Sequence, residues 1–555
     1  MKGRTLGIMS LLLLAILVAA CAPAAAPTPV PAPKPTAPPA AVATPTPAQA
    51  PAPAVEKPRY GGILNVQAKA DLNNYDLHQT VYAADLHPLE PMFNLLIKTD
   101  PKDISQVIPD LAEKWEVSPD GKVYTFQLRQ GVKWHDGQPF SSADVKASFD
   151  RISNPPKGIF SPRQSYYRLI EKVEAPDANT VRFTLKNPQA AFLLMVAVPF
   201  SVIFPKHILD KKGDMKKDVV GTGAFVFKEH MRGSHMFAEK NPAYFKAGLP
   251  YLDGIMRYII SDDGAVEAAL RTGRIDLTLP WNYRPPPNIR QKLIQSVPGM
   301  TEQLAPGHAL RGLIFNVKKA PWSDVRVRRA ALLAMDKADL GKVLTRGDEI
   351  MSGFMPRGPW AFPKDELLKQ PGFRKPTPED MAEAKRLMAE AGYPDGFKAT
   401  IMVRAVKMYE DEAVAVKHEL TKIGIDVNLD IVESAAFLRR RELKDFAFMS
   451  YGVVSVEMGD PDMVLSKYFG TSPGNYTNYS NAKFDELYDK QSQALDPAER
   501  KKLVFEMQKI LYEDIPAVPY WWYYDPSMIA PRVKNYLHTE GLYTNFDLAD
   551  VWLTR

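Results

Sequence analysis

A single cysteine in 555 residues excludes an intramolecular disulfide framework, a Cys-rich zinc site and an iron–sulfur cluster. The nine histidines are dispersed, and no His-Glu-x-x-His occurs. His230 and His235 stand five apart, off the spacing that puts two ligands on one helix face. There is no phosphate-cradling P-loop and no Gly-x-Ser-x-Gly elbow, so neither an ATPase nor an α/β-hydrolase pattern is present. His135 and Asp136 are adjacent, and neighbouring strand residues point to opposite faces, so they make a poor catalytic pair. No charge of one sign dominates: 70 basic residues face 64 acidic ones, a mixed surface rather than the basic stripe of a nucleic-acid binder. Beyond the N-terminus no apolar run is long enough to span a bilayer.

What is present begins with an address. Lys2 and Arg4 precede an unbroken apolar run from Leu11 to Ala20, which is short for a membrane span and right for a secretory signal. The run ends in Val18-Ala19-Ala20-Cys21, small residues and then the lone cysteine, a pattern that resembles the bacterial lipobox. On that reading 1–20 is a signal peptide and Cys21 is the acylated mature N-terminus. From Ala22 to Pro58 the chain turns to Pro and Ala with scattered Thr, and the first aromatic is Tyr60. Such a stretch buries too little to offset its ordering entropy and favours extended polyproline II. A lipid followed by a semi-rigid spacer describes an extracytoplasmic protein tethered to the outer face of the cytoplasmic membrane.

The body from Tyr60 onward mixes strand and helix signals. Ser118-Pro119-Asp120-Gly121 marks a turn, and Tyr124, Phe126 and Leu128 then alternate with Val123, Thr125 and Gln127 as in a strand. Ser141 or Ser142 caps a helix with Val145 and Phe149 on its apolar face. Thr377-Pro378-Glu379-Asp380 opens a helix carrying Met381, Ala384, Met388 and Ala391, and Gly392 with Pro394 ends it. Ser323-Asp324 and Asp496-Pro497 open two more. Strand-like pieces lie at Ala399–Val403, Ile425–Ile431 and Phe446–Ser450. The composite is an α/β chain with mixed α+β elements, long enough for three or four domain-sized units of about 100–200 residues, and without internal repeats.

Several blocks resemble the family 5 extracellular solute-binding proteins of ABC importers, the oligopeptide- and dipeptide-binding class. The most specific runs from Asp110 to Arg129, through Leu111-Ala112-Glu113-Lys114-Trp115 and Ser118-Pro119-Asp120-Gly121, and continues to Val145. Others follow in order: Gly61-Gly62-Ile63-Leu64, Gly221-Thr222-Gly223-Ala224-Phe225, Pro250-Tyr251-Leu252-Asp253, Asp324 to Ala330, Asp460-Pro461-Asp462 and Asn478-Tyr479-Ser480-Asn481. These blocks read as scaffold: Trp115, Tyr124, Phe126 and Trp134 as core, Gly121 and Gly223 as turns. They imply a fold and leave the ligand open.

The resemblance implies a two-lobed clamshell of three domains, large peptide-binding type. It follows the 1–20 signal peptide and a lipidated Pro/Ala-rich linker over 21–59. One lobe is assembled from 60–98, 218–300 and 525–555, with the signature-bearing domain 99–217 packed on it. The other lobe is 301–524. Ligand is held when the lobes close about a hinge.

In peptide-binding members a carboxylate three residues before the Asp-Pro pair meets the ligand's α-ammonium, and here that position is Glu457. The family's tryptophan three residues upstream is Val454, a departure that changes the pocket there. The preceding strand, including Tyr451, Val454 and Ser455, would lend backbone groups to an extended ligand by strand addition. Arg441, in Arg439-Arg440-Arg441, matches approximately a family arginine that compensates a ligand carboxylate. In Pro519 to Tyr524, alternation sets Trp521 and Tyr523 on one face and Trp522 and Tyr524 on the other, and the resemblance implies that Tyr523 is nearest the position that contacts ligand in relatives. Trp281 and Tyr82 are further cleft candidates. No catalytic residue, metal site or cofactor is expected. The expected partners are a peptide or peptide-sized organic solute, an ABC permease with its ATPase subunits, and the membrane through the N-terminal lipid. No nucleic acid is expected, and the chain is expected to be a monomer. Relatives of this fold also bind sugars, metal chelates, opines and haem, so the ligand class stays open. Two other readings stand beside this one: a lipid-tethered secreted hydrolase, which needs a nucleophile–base pair, and a chaperone-like or adhesive surface lipoprotein.

Overall fold

Two strands of unusual length organise the molecule, Thr301–Phe315 of 15 residues and Ala517–Ile529 of 13. At about 3.3 Å per residue they reach about 50 and 43 Å, and they run antiparallel at the middle of one large sheet. The structure is a computed structural model that describes residues 56–345, 347–350, 352–370, 372–455, 457–470, 475–539 and 547–554. The signal segment, Cys21 and nearly all of the Pro/Ala-rich stretch lie outside the described residues. Lys57–Arg555 forms a single compact unit. No helix among the described residues is long and apolar enough to cross a membrane.

The long strands pair in two sections. Thr301 to Pro306 lies opposite Ile529 to Tyr524, and Leu310 to Ile314 lies opposite Trp522 to Ala517. The register shifts between Pro306 and Leu310 and again before Gly312. A Cβ on Gly307, inside the first shift, would stand 2.8 Å from Asp525 Oδ2. The first section continues into Leu277–Thr278, Ile63–Ala68, Gly254–Ile259, His235–Lys240 and Phe225–Met231. The second continues into Phe448–Ser455, Phe397–Arg404 and Ile425–Val432. Each section therefore anchors one half of the molecule, and the ladder between them is broken where the halves meet.

The Phe397–Arg404 strand is parallel to both Ile425–Val432 and Phe448–Ser455. The chain steps outward through helix Lys407–Thr421, then returns across its own starting strand through helix Ser434–Glu442. Right-handed crossovers in opposite directions place such helices on opposite faces, which leaves a crevice at the carboxyl ends of Phe397–Arg404 and Phe448–Ser455.

The signature-bearing segment builds a separate four-stranded antiparallel sheet, in the order Ala112–Val117, Val123–Leu128, Thr180–Leu185, Ile170–Asp177. The alternation read from the sequence is observed: Tyr124, Phe126 and Leu128 are buried while Val123, Thr125 and Gln127 are half-buried. Phe126 meets Phe183 edge-on at 5.6 Å, and Phe149 of helix Ser142–Ser153 meets the same ring at 5.0 Å. Ser141 and Asp144 close a capping box on that helix. Trp134 is core, but Trp115 is only partly buried against the core's edge. The other expected caps are also present: Thr377 with Asp380, Asp324, and Asp496.

His135 belongs to this scaffold. Its Nδ1 accepts from the Gly221 N–H at 3.2 Å, so Nε2 carries the proton and donates to the Gly223 carbonyl at 3.1 Å. A side chain at Gly221 or Gly223 would collide with the backbone at Met92, which is why this stretch needs glycine. Burial pushes the imidazole down from 6.5 to about 4. Charging Nδ1 would set one donor against another. Between pH 6.5 and 4 the unfolded chain takes up a proton that the folded chain refuses, so stability falls as pH drops through that window. The loss should reach on the order of 3 kcal/mol at full protonation. Denaturant midpoints at pH 7, 5 and 4 should show a shallower acid slope for His135→Gln than for the parent protein.

Candidate functional site

The carboxyl end of the Phe448–Ser455 strand carries the site. On one side this strand pairs with Thr301–Phe315 from Phe448 to Ser455. On the other it meets Phe397–Arg404 at only two positions, Ile401 with Phe448 and Met402 with Met449. Beyond Met449 that edge has no strand partner among the described residues. Val454 and Ser455 lie on this stretch, opposite Leu310 and Ala309.

A chain of cations and aromatic rings leads away from the strand. Tyr451 packs against Tyr409 at 5.1 Å and Phe437 at 5.0 Å. Arg441 stands 5.6 Å over the Tyr451 ring and 4.3 Å over Tyr476. Its Nη2 donates to Glu442 at 2.6 Å, while its Nε is buried without a hydrogen-bond partner. On the far side of Tyr409 the Arg311 guanidinium lies 4.0 Å from the ring centre. Arg311 is buried and forks onto Glu412, Nε donating to Oε1 at 2.9 Å and Nη2 to Oε2. Burial works against that charge, but Glu412 holds the guanidinium well above its usual value. Tyr523 donates its hydroxyl to the same Oε1 at 3.2 Å. Burial, with Glu412 alongside, pushes its phenol up. Arg284 then stands over both Tyr523, at 5.4 Å, and Trp281, at 5.2 Å, and ion-pairs with buried Asp525. Trp281 has φ +70°, a conformation costly for a residue with a Cβ, and remains 43% exposed.

Beside this chain opens a cleft of about 1010 Å³, bordered by Arg284 and Pro285 before the long strands, by Tyr523 and Pro526 on one of them, and by Met408 and Glu412 beyond. That volume is at the top of the usual range for small-ligand sites, about 300–1,000 Å³. Trp521 forms part of its wall but is only 2% exposed and belongs to the core behind it. It forms the back of the wall, with the core cluster behind it. Trp522 and Tyr524 pack with the other core, as alternation requires.

Glu457 and Tyr82 stand apart from this chain. Both Glu457 oxygens accept from Arg163, Nε to Oε2 and Nη2 to Oε1, each at 3.1 Å. The carboxylate expected to meet a ligand ammonium is thus given to a guanidinium of the protein itself. Arg163 also donates through Nη1 to the Thr80 carbonyl at 2.6 Å. The Tyr82 backbone N–H donates to Thr80 Oγ1, and the Tyr82 side chain is exposed.

The sequence reading missed Arg163, Arg284, Arg311, Tyr409 and Glu412. It also passed over Arg404, at the end of Phe397–Arg404, whose Nε donates to the neutral Ser434 hydroxyl at 2.9 Å. One signal was available: Arg311 is a lone cation in Leu310-Arg311-Gly312-Leu313-Ile314-Phe315, and a charge in an apolar strand needs a buried partner. Nothing local names that partner as Glu412, 101 residues away. His230 and His235 take separate partners, Asp71 with Tyr75 and Glu229 with Ser234. No group of three His, Cys, Asp or Glu among the described residues is placed to hold a metal.

Comparison with known proteins shows the family and the fold. Residues 106–476 match the family described as bacterial extracellular solute-binding proteins, family 5 Middle. The glutathione-binding protein GsiB of Salmonella typhi is 30% identical over 420 residues, covering 74% of this chain and 79% of the relative. Among solved structures, the ABC transporter-associated periplasmic binding protein DppA from Helicobacter pylori, in complex with the peptide STSA, is 28% identical with a TM-score of 0.75, covering 90% of this chain and 99% of DppA. The oligopeptide-binding protein AppA from Bacillus subtilis, in complex with a nonapeptide, is 26% identical with a TM-score of 0.73, covering 90% and 100%. The fold is accordingly the two-lobed, three-domain α/β arrangement of the large peptide-binding type. The chain belongs to the bacterial extracellular solute-binding proteins of family 5 and is an extracytoplasmic solute-binding protein.

Proposed function

We propose that this receptor captures a peptide or peptide-sized organic solute in extended form and delivers it to an ABC permease and its ATPase subunits. The observation that carries the reading is the open edge of Phe448–Ser455 beyond Met449, at the switch point between parallel strands. Unpaired backbone groups on such an edge add a ligand as one more strand and accept many side chains. Relatives support the class: GsiB is named for glutathione, DppA and AppA hold peptides, and AgaA from A.tumefacien R10 holds agropinic acid. The reading divides the body into one lobe of 60–98, 218–300 and 525–555, the packed domain 99–217, and a second lobe of 301–524. Tyr451, Val454, Ser455, Arg441 and Tyr523 line the ligand path, with Trp281 and Tyr82 at its rim. Function here means capture, closure and docking as a monomer, without bond making. Cys21 carries a lipid that holds the receptor at the membrane.

Mass spectrometry of the purified protein should find a ligand retained in the cleft. Adding that ligand should compact the protein in small-angle scattering and raise its melting temperature by mass action. Identical scattering profiles with and without saturating ligand would count against closure.

Arg441→Met removes a cation whose buried Nε has no hydrogen-bond partner among the described residues. For a retained ligand bearing a carboxylate, calorimetry should show binding weakened by about tenfold or more, equivalent to about 1.4 kcal/mol. Unchanged affinity would remove Arg441 from the site.

Cys21→Ala should shift the protein out of the detergent phase or leave an unprocessed precursor. Normal processing with unchanged partitioning would defeat the lipid anchor.

A further inference from the structure

Glu457 lies just beyond the open strand edge, where a ligand added to that edge would end. An acid in such a place attracts a cation, and the protein supplies one. Arg163 arrives from 294 residues away in sequence, out of the segment that carries the small four-stranded sheet. Its side chain is 2% exposed and that of Glu457 12%. The guanidinium is held in three ways. Two bonds of 3.1 Å join it to the carboxylate, a third of 2.6 Å joins it to the Thr80 carbonyl, and its Cζ lies 3.6 Å from the centre of the Phe200 ring. This is the bidentate fork that a planar guanidinium forms with a carboxylate and a lysine cannot copy.

A ligand ammonium reaching Glu457 would have to take the carboxylate from Arg163. That exchange leaves a buried guanidinium without its counter-charge, which is costly because water cannot reach it to compensate. An uncharged ligand end asks for no exchange. An acidic end meets no net negative charge, because the pair is already neutral.

We infer that Arg163 is a specificity-determining residue: it fills the place of a ligand cation at Glu457, so the site favours ligands whose end there is uncharged or acidic, such as an N-blocked peptide or an organic acid of peptide length, over those with a free ammonium. The inference rests on the proposed placement of ligand along the Phe448–Ser455 edge. It assigns Glu457 to an internal pair between distant parts of the chain.

The test uses the full-length protein and an equimolar pool of two series of tri- to pentapeptides, identical except for an N-terminal acetyl group. Native mass spectrometry reads which members are retained. The parent protein should retain acetylated members at least tenfold over their free-amine counterparts. Arg163→Met, which keeps an apolar stem on Phe200 and exposes the Glu457 charge, should lower that preference at least tenfold. Glu457→Gln should leave the preference in place, because in the parent protein this carboxylate does not read the ligand. Equal or better retention of free-amine peptides by the parent protein overturns the inference. If Arg163→Met fails to fold, Arg163→Gln, which keeps a donor for Glu457 and removes the positive charge, decides: an unchanged preference for acetylated members in that variant also overturns it. Retention of neither series is a different failure. It removes the reading of an extended, peptide-like ligand, and this inference with it.

Discussion

The register break between the two long central strands is the constraint on which everything else depends. Thr301–Phe315 and Ala517–Ile529 are continuous covalently, yet their ladder is interrupted between Pro306 and Leu310. On either side, paired backbone holds each strand rigidly to its own half. In the gap the two long strands do not pair with each other, Tyr523 pairs instead with Glu349, and Gly307 allows Asp525 to come close. Tyr523 sits at this gap and Asp525 pairs with Ala305 beside it, and through them the gap borders the contacts to Glu412 and Arg284. The site is built beside this interruption of the ladder.

Charge pairing is the second organising force. Arg311 with Glu412, Arg163 with Glu457 and Arg284 with Asp525 each join residues far apart in sequence. Buried ions of this kind contribute little net stability, because desolvation cancels much of their attraction. What they provide is placement. Each guanidinium also lies against one or more aromatic rings, Tyr409 for Arg311, Phe200 for Arg163, Trp281 and Tyr523 for Arg284. A plane fixed by a carboxylate at its edge and a ring on its face has little freedom left. The walls of the cleft are therefore ordered before ligand arrives, which lowers the entropic cost of binding.

Much of the scaffold was legible in the residues themselves. Alternation at Tyr124, Phe126 and Leu128 located a strand and its buried face. The caps at Thr377, Asp324 and Asp496 located helix starts. Alternation from Trp521 to Tyr524 separated the two faces of that strand, which pack with different cores in the structure. These features are local: they depend on a period of two or 3.6 residues and on groups within a single turn. The limits of local reading show at Trp115, read as core and found partly buried at an edge, and at Trp521, read as a ligand contact and found within the wall.

The sequence by itself determined the family, several strands and helix starts, and the chemical types available to a site: guanidinium, carboxylate, aromatic rings and a strand edge. Tertiary structure alone decided which of these meet. Glu457 carries the same carboxylate in either setting, but whether that charge is offered to a ligand depends on Arg163, brought to it across 294 positions by the packing of another domain. The reason is physical. Secondary structure follows from forces acting within a few residues, whereas the net charge of a buried site is a sum over groups that only the folded chain brings within hydrogen-bonding distance.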